Sequence, residues 1–153
     1  MNNKVLISAI RLLSRREYGA AELAAKLSNR GFTEEEAQAA VAECRNLGLQ
    51  SDSRFVDSIT HIRIRAGYGP NRVRQELLTL RIESELIETR LQQEDNHWLE
   101  YARVVWKKKF GNCVQTDFVS QQKQKQFLLY RGFNKDTIAQ LFKQLARDAF
   151  SAE

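Results

Sequence analysis

The sequence predicts an all-α protein made of three tandem three-helix repeats, and three observations carry that expectation. Helix formers (Ala, Leu, Glu, Gln, Lys, Arg) dominate a chain of 153 residues that holds one proline, Pro70, and seven glycines. Apolar residues recur at close to the helical period of about 3.6. The chain also repeats itself. At an offset of 50, Tyr18-Gly19 falls on Tyr68-Gly69, Leu23 on Val73, Leu27 on Leu77, Phe32 on Ile82, Ala37 on Ile87 and Val41 on Leu91, without a gap. At an offset of 101, Leu27 falls on Leu128, Gly31-Phe32 on Gly132-Phe133, Ala37 on Ile138 and Val41 on Phe142. The Tyr-Gly pair returns as Phe110-Gly111, displaced by a longer loop. The repeats are residues 1–50, 51–96 and 97–153. Three short helices bury too little surface alone, so neighbouring units are expected to pack into an elongated, curved row with a concave face.

The first repeat predicts helices over 4–16, 20–30 and 33–46, the second over 52–66, 70–80 and 83–94, and the third over 97–110, 117–131 and 134–149. Thr33 followed by Glu34-Glu35-Glu36 is a capping box, in which the hydroxyl and the Glu36 carboxylate satisfy free backbone donors. Ser51 and Asp52 are suited to cap the fourth helix, and Asn96, Thr116 and Asn134 later ones. Pro70 follows Gly69 at a first helical position, where it has no hydrogen bond to lose. Gly31, Gly67, Gly111 and Gly132 are stop signals. One apolar stripe runs Phe55, Ile59, Ile62, Ala66, and another Trp98, Tyr101, Val104, Val105. In the last two helices Phe127, Leu128 and Tyr130 lead to Phe133, followed by Ile138, Leu141, Phe142 and Leu145.

Charge separates the repeats. Residues 1–50 carry seven Lys+Arg against six Asp+Glu, residues 51–96 seven against eight, and residues 97–153 ten against five, so the net +5 resides in the last third. Such an excess suggests an anionic partner, nucleic acid foremost. No apolar run approaches the roughly 18 residues of a membrane span, and the N-terminus lacks the pattern of an export signal. Two cysteines, Cys44 and Cys113, are too few for a disulfide framework and read as small apolar residues in a reducing cytoplasm. His61 and His97 lie in different repeats, no Cys/His set has zinc-ligand spacing, and no phosphate-binding glycine loop or nucleophile elbow occurs. A binding protein without a cofactor, not an enzyme, is expected.

The most specific stretches are Asp52-Ser53-Arg54-Phe55-Val56, the run Arg63-Ile64-Arg65-Ala66-Gly67-Tyr68-Gly69-Pro70-Asn71-Arg72-Val73-Arg74-Gln75-Glu76-Leu77, and Gln126-Phe127-Leu128-Leu129-Tyr130-Arg131-Gly132-Phe133. With Glu22-Leu23, Lys26-Leu27 and Gly31-Phe32 of the first repeat, they resemble the RecX family of recombination regulators over nearly the whole chain. Ser51, where family members often carry a second acidic residue, and the short N-terminal lead depart from the pattern. The resemblance implies a monomeric regulator of RecA, the recombinase that polymerises on single-stranded DNA. It implies binding in the helical groove of the RecA–DNA filament and inhibition of ATP hydrolysis, strand exchange and repressor co-cleavage. The alternative is a direct DNA-binding or architectural protein, and a third reading is a helical scaffold with no nucleic-acid link.

Candidate contacts follow from the cations. Arg63, Arg65, Arg72 and Arg74 flank the Gly-Tyr-Gly-Pro turn, and their guanidinium groups suit carboxylate or phosphate forks. Lys107, Lys108 and Lys109 close the seventh helix, where they also complement its dipole. Lys123, Lys125 and Arg131 extend the positive region. Tyr68, Tyr130, Trp98 and Trp106 are expected to pack in the core in preference to stacking on bases, and Asp52 is expected to pair with Arg54.

Overall fold

The structure, a computed structural model, describes residues 3–111 and 117–151. Among them are nine α-helices and no strand: α1 Asn3–Arg15, α2 Ala20–Asn29, α3 Glu34–Asn46, α4 Asp52–Arg65, α5 Pro70–Thr79, α6 Ser84–Gln92, α7 Trp98–Phe110, α8 Phe118–Tyr130 and α9 Lys135–Ser151. Each is found where the periodicity places it, with ends within two residues of expectation. The chain forms two compact units, residues 1–59 with 76–88, and residues 60–75 with 89–153.

In the first unit α1 packs on α2 and α3. Val5, Ala9 and Leu12 of α1, Leu23, Ala24 and Leu27 of α2, and Ala37, Ala40, Val41 and Cys44 of α3 form one apolar cluster with Tyr18. Burial pushes the Cys44 thiol pKa up, keeping it protonated and inert. Cys113 lies outside the described residues. The α3 capping box is complete: Glu36 N–H donates to Thr33 Oγ1 at 3.1 Å and Thr33 N–H to Glu36 Oε1 at 3.0 Å. Ser51 caps α4, accepting from Arg54 N–H at 3.2 Å. Phe55 and Ile82 close over the Tyr18-Gly19 turn so tightly that a Cβ at Gly19 would lie 3.1 Å from Ile82 Cδ1 and 3.2 Å from Phe55 Cδ2.

In the second unit α7, α8 and α9 pack on one another around Trp98, Ala102, Trp106, Leu128, Phe133, Ile138, Leu141 and Leu145. Trp106 Nε1 donates to the buried Gln124 Oε1 at 2.8 Å, which gives the indole a polar partner inside the core.

Several expectations need correction. On α4 the buried line is Phe55, Val56, Ile59 and Thr60, whereas Ile62 is 50% exposed and Ala66 is exposed. On α7 Val104 is 55% exposed, and the buried side is Trp98, Ala102 and Trp106. Tyr130 is 72% exposed and is not a core residue. Helical period selects a face, but burial also needs a neighbour opposite each point of that face. Asn96 does not cap α7: its N-cap is His97, without a side-chain cap bond. Residues 93–97 already turn, with His97 N–H on Glu94 O at 2.8 Å, so the chain enters α7 without the extended conformation a side-chain cap requires. Thr116 lies outside the described residues, and the N-cap of α8 is Asp117, whose carboxylate accepts from Ser120 N–H at 3.0 Å. That bond holds the Asp117 carboxyl below its ordinary range.

Candidate partner-binding surface

Gly67 ends α4 at φ 90, and Tyr68 N–H turns back to Arg63 O at 2.9 Å. The chain then starts α5 at Pro70, whose ring has no N–H to satisfy. The two neighbouring donors are taken up from elsewhere: Gly69 N–H donates to Arg131 O at 2.7 Å and Asn71 N–H to Gly132 O at 2.9 Å. This backbone-to-backbone approach leaves no room for side chains. A Cβ on Gly69 would lie 2.6 Å from Gly132 C and O, and one on Gly132 would lie 2.6 Å from Arg72 N and Cβ.

The docked turn gathers cations. The Arg131 guanidinium is 5.0 Å from the Tyr68 ring centroid and donates to Ala66 O at 3.2 Å. The Arg72 guanidinium is 4.9 Å from the same ring and donates to Tyr130 O at 3.3 Å. Tyr68 is therefore half-buried under arginine, not packed in the apolar core.

Beside this turn α4, α7 and the end of α8 enclose a cleft of about 400 Å³. Ile64, Ala66, Val104, Val105 and Phe127 give it apolar walls, and Arg65, Lys108, Lys109 and Arg131 bring cations to it. The Phe127 ring meets Phe110 edge-on at 5.5 Å, with Lys109 Nζ at 5.5 Å and the Arg131 guanidinium at 5.2 Å from its centroid. Tyr101, also in the cleft wall, donates its hydroxyl to Glu94 Oε2 at 2.6 Å, and Arg90 Nη1 donates to Glu94 Oε1 at 3.1 Å. Burial pushes the Glu94 carboxyl pKa up, but these two hydrogen bonds outweigh it and hold the group below its ordinary range. The same bond raises the Tyr101 pKa. Among the described residues, no carboxylate pairs with Arg65, Lys108, Lys109 or Arg131.

The comparisons with known proteins match this chain in three consecutive segments: the first three-helix domain of RecX at residues 7–44, the second at 51–91 and the third at 95–142. The regulatory protein RecX of Legionella pneumophila (strain Corby) is 46% identical over 142 residues, 93% of this chain and 95% of that one. The chain belongs to the RecX family. The regulatory protein RecX of Pseudomonas fluorescens is 38% identical over 141 residues, covering 92% of this chain and 91% of its own. The crystal structure of RecX from Lactobacillus salivarius superposes with a TM-score of 0.79 at 21% identity, over 94% of this chain and 96% of that one, a likeness of fold.

The signature residues of the second RecX domain serve the first. Asp52 does not pair with Arg54. Asp52 Oδ1 accepts from Ala20 N–H at 2.8 Å, capping α2, and from Gln50 Nε2 at 2.9 Å, while Gln50 Nε2 also donates to Tyr18 O at 3.1 Å. Arg54 instead reaches Glu17 Oε1 at 3.2 Å and Gly48 O at 2.9 Å. The two side chains point to different partners because residues two apart on a helix face different directions.

All ten candidate cations fall in the second compact unit, but the cleft gathers only Arg65, Lys108, Lys109 and Arg131. Arg72 is held at Tyr68, and Arg74 donates to Asn71 Oδ1 at 2.7 Å. Arg63 is half-buried, Lys107 and Lys123 are exposed, and Lys125 Nζ is 5.3 Å from the Phe142 ring. The apolar stripes of the sequence include Tyr101, Val104, Val105 and Phe127. Their apolar spacing gave no sign that they wall a cleft. Among the described residues, no group of three or more His, Cys, Asp or Glu side chains could hold a metal ion, and no helix is long and apolar enough to cross a membrane.

Proposed function

We propose that this chain regulates the RecA recombinase by binding the RecA–DNA filament in its helical groove. There it inhibits ATP hydrolysis, strand exchange and co-protease activity, acting in the cytoplasm as a monomeric binding protein without a cofactor and not as a catalyst. The observation that carries this reading is the match to all three RecX domains in order, alongside relatives named as regulatory proteins. The cations of the second compact unit support it, because a nucleoprotein filament presents both phosphates and acidic protein surface. Binding to successive protomers is multivalent, so modest individual contacts sum to high occupancy. Titrating the chain into RecA bound to single-stranded DNA tests the reading. ATP hydrolysis is expected to slow well below equimolar ratios, and an unchanged rate at equal concentration refutes inhibition.

A second reading, direct DNA binding, is favoured by the lysine run Lys107-Lys108-Lys109 in a repeat carrying ten cations against five anions. It requires tight binding to DNA alone with a steep salt dependence. Loss of that binding near physiological salt removes it.

A further inference from the structure

We infer that the cleft between α4, α7 and α8 receives an acidic peptide segment carrying one bulky apolar side chain. This rests on the proposed function only for the partner's identity, a protein component of the filament, and the chemistry of the cleft stands apart from it. The apolar side chain enters between Ile64, Val104 and Val105, and carboxylates flanking it in the peptide meet Arg65, Lys108, Lys109 and Arg131.

Three observations converge on this occupant. The volume, about 400 Å³, lies in the range of sites that enclose one or two large groups, roughly 300–1,000 Å³. Four cations line it without a carboxylate partner among the described residues, so the field at its mouth is uncompensated. The carboxylate in hydrogen-bond reach of the cleft wall, Glu94, has one oxygen on Arg90 and the other on Tyr101, so its charge is already engaged. Part of the site is also rigid before binding. Arg131 is fixed by its bond to Ala66 O and by the Tyr68 and Phe127 rings, which lowers the ordering cost of meeting a carboxylate.

The walls favour a peptide over single-stranded nucleic acid. Base stacking needs an open aromatic face. The aromatic residues here are Tyr101 and Phe127, and both are engaged. Phe127 carries Lys109 and Arg131 over its ring and Phe110 at its edge, and Tyr101 packs edge-on to Trp98 at 5.6 Å with its hydroxyl committed to Glu94. What stays open is aliphatic, with Val104 55% exposed.

The test uses the full chain and a fluorescein-labelled peptide with acidic residues on both sides of one phenylalanine, followed by anisotropy. Saturable binding is expected. It should weaken about tenfold when the peptide's phenylalanine becomes serine, and as much when its acidic residues become amides. Arg65→Glu combined with Lys108→Glu should weaken it by about tenfold or more, and Val104→Asp similarly, whereas Lys143→Glu combined with Arg147→Glu, the same charge change at exposed positions of α9, should leave it unchanged. Arg65 and Lys108 are exposed and have no carboxylate partner among the described residues, so circular dichroism should be that of the parent chain. Absence of peptide binding overturns the inference, as does binding indifferent to the cleft variants. So does an oligothymidylate that binds with the same sensitivity to those variants while the peptide does not. A parent chain that binds the peptide yet leaves RecA's ATP hydrolysis untouched upholds the cleft and overturns the proposed function instead.

Discussion

Replacing Gly132 with alanine should destabilise the protein far more than the same change at Gly31, although the two glycines are equivalent in the repeat and share one backbone conformation, φ 97 and φ 98. At either site an alanine pays the left-handed penalty, about 1–2 kcal/mol. At Gly31 nothing lies within 4 Å of the added Cβ, so the cost ends there. At Gly132 the Cβ would be 2.6 Å from Arg72 N and Cβ, and backbone cannot swing aside as a side chain can. Relief requires the two segments to separate, which breaks Gly69 N–H to Arg131 O and Asn71 N–H to Gly132 O. At about 1 kcal/mol each these bring the expected total to about 3–4 kcal/mol. Urea denaturation followed by far-UV circular dichroism compares both variants on one observable. Fluorescence of Trp98 and Trp106, both buried in α7, reports the second unit separately. Equal costs for the two variants would refute the view that the 69–71 and 131–133 segments are locked together.

Three further outcomes follow from single contacts. Asp52→Ala removes the acceptor for Ala20 N–H and Gln50 Nε2 and should lower stability by about 1–2 kcal/mol in urea, with Asp52→Asn milder because it keeps an acceptor. Arg81 is the non-glycine residue with positive φ, 60, among the described residues, at the position where the other repeats have Gly31 and Gly132; Arg81→Gly should raise the urea midpoint by an amount worth about 0.5 kcal/mol, the strain relieved less the entropy glycine adds to the unfolded chain. Glu94 is depressed in the folded chain, so its contribution is present above the ordinary glutamate range and disappears as pH falls through its lowered value. Tyr101 is raised, so its contribution is present below the ordinary tyrosine range and disappears as pH rises through its raised value. Tyr101→Phe should cost about 1.5 kcal/mol at neutral pH and markedly less in acid, where Glu94 is protonated in both proteins; a cost independent of pH would show that the bond to Glu94 is not its source.

The helices were legible because their signals are local. Apolar period, the Thr33–Glu36 box, Pro70 and the terminating glycines all act within a few residues, and each helix is found where those signals put it. The cleft was not legible, because its walls come from α4, α7 and α8 and its identity depends on which apolar residues lack a neighbour. Val104 and Val105 are the same residue type side by side. One is exposed in the cleft and the other half-buried in its wall, a distinction set by tertiary packing alone. The cations were visible one by one, but nothing in the sequence joined Arg65 to Lys108 or separated either from Lys123.

The caps show the same division and explain what the family signature is for. Helices α3 and α8 carry their own caps, Thr33 and Asp117. Helices α2 and α5 begin after a glycine that offers no side-chain acceptor, Gly19 and Gly69, and each is completed by the RecX domain that follows. Asp52 of the second domain accepts from Ala20, and the carbonyls of Arg131 and Gly132 in the third accept from Gly69 and Asn71. Free donors at a helix start cost more as they are buried, so each such joint makes one domain's second helix depend on its successor. The Asp-x-Arg-Phe and Gly-Pro motifs therefore mark joints between domains, and their side chains and amides are spent inside the protein. The groups proposed to meet a partner are the cations of the cleft, Arg65, Lys108, Lys109 and Arg131, which have no carboxylate of their own among the described residues.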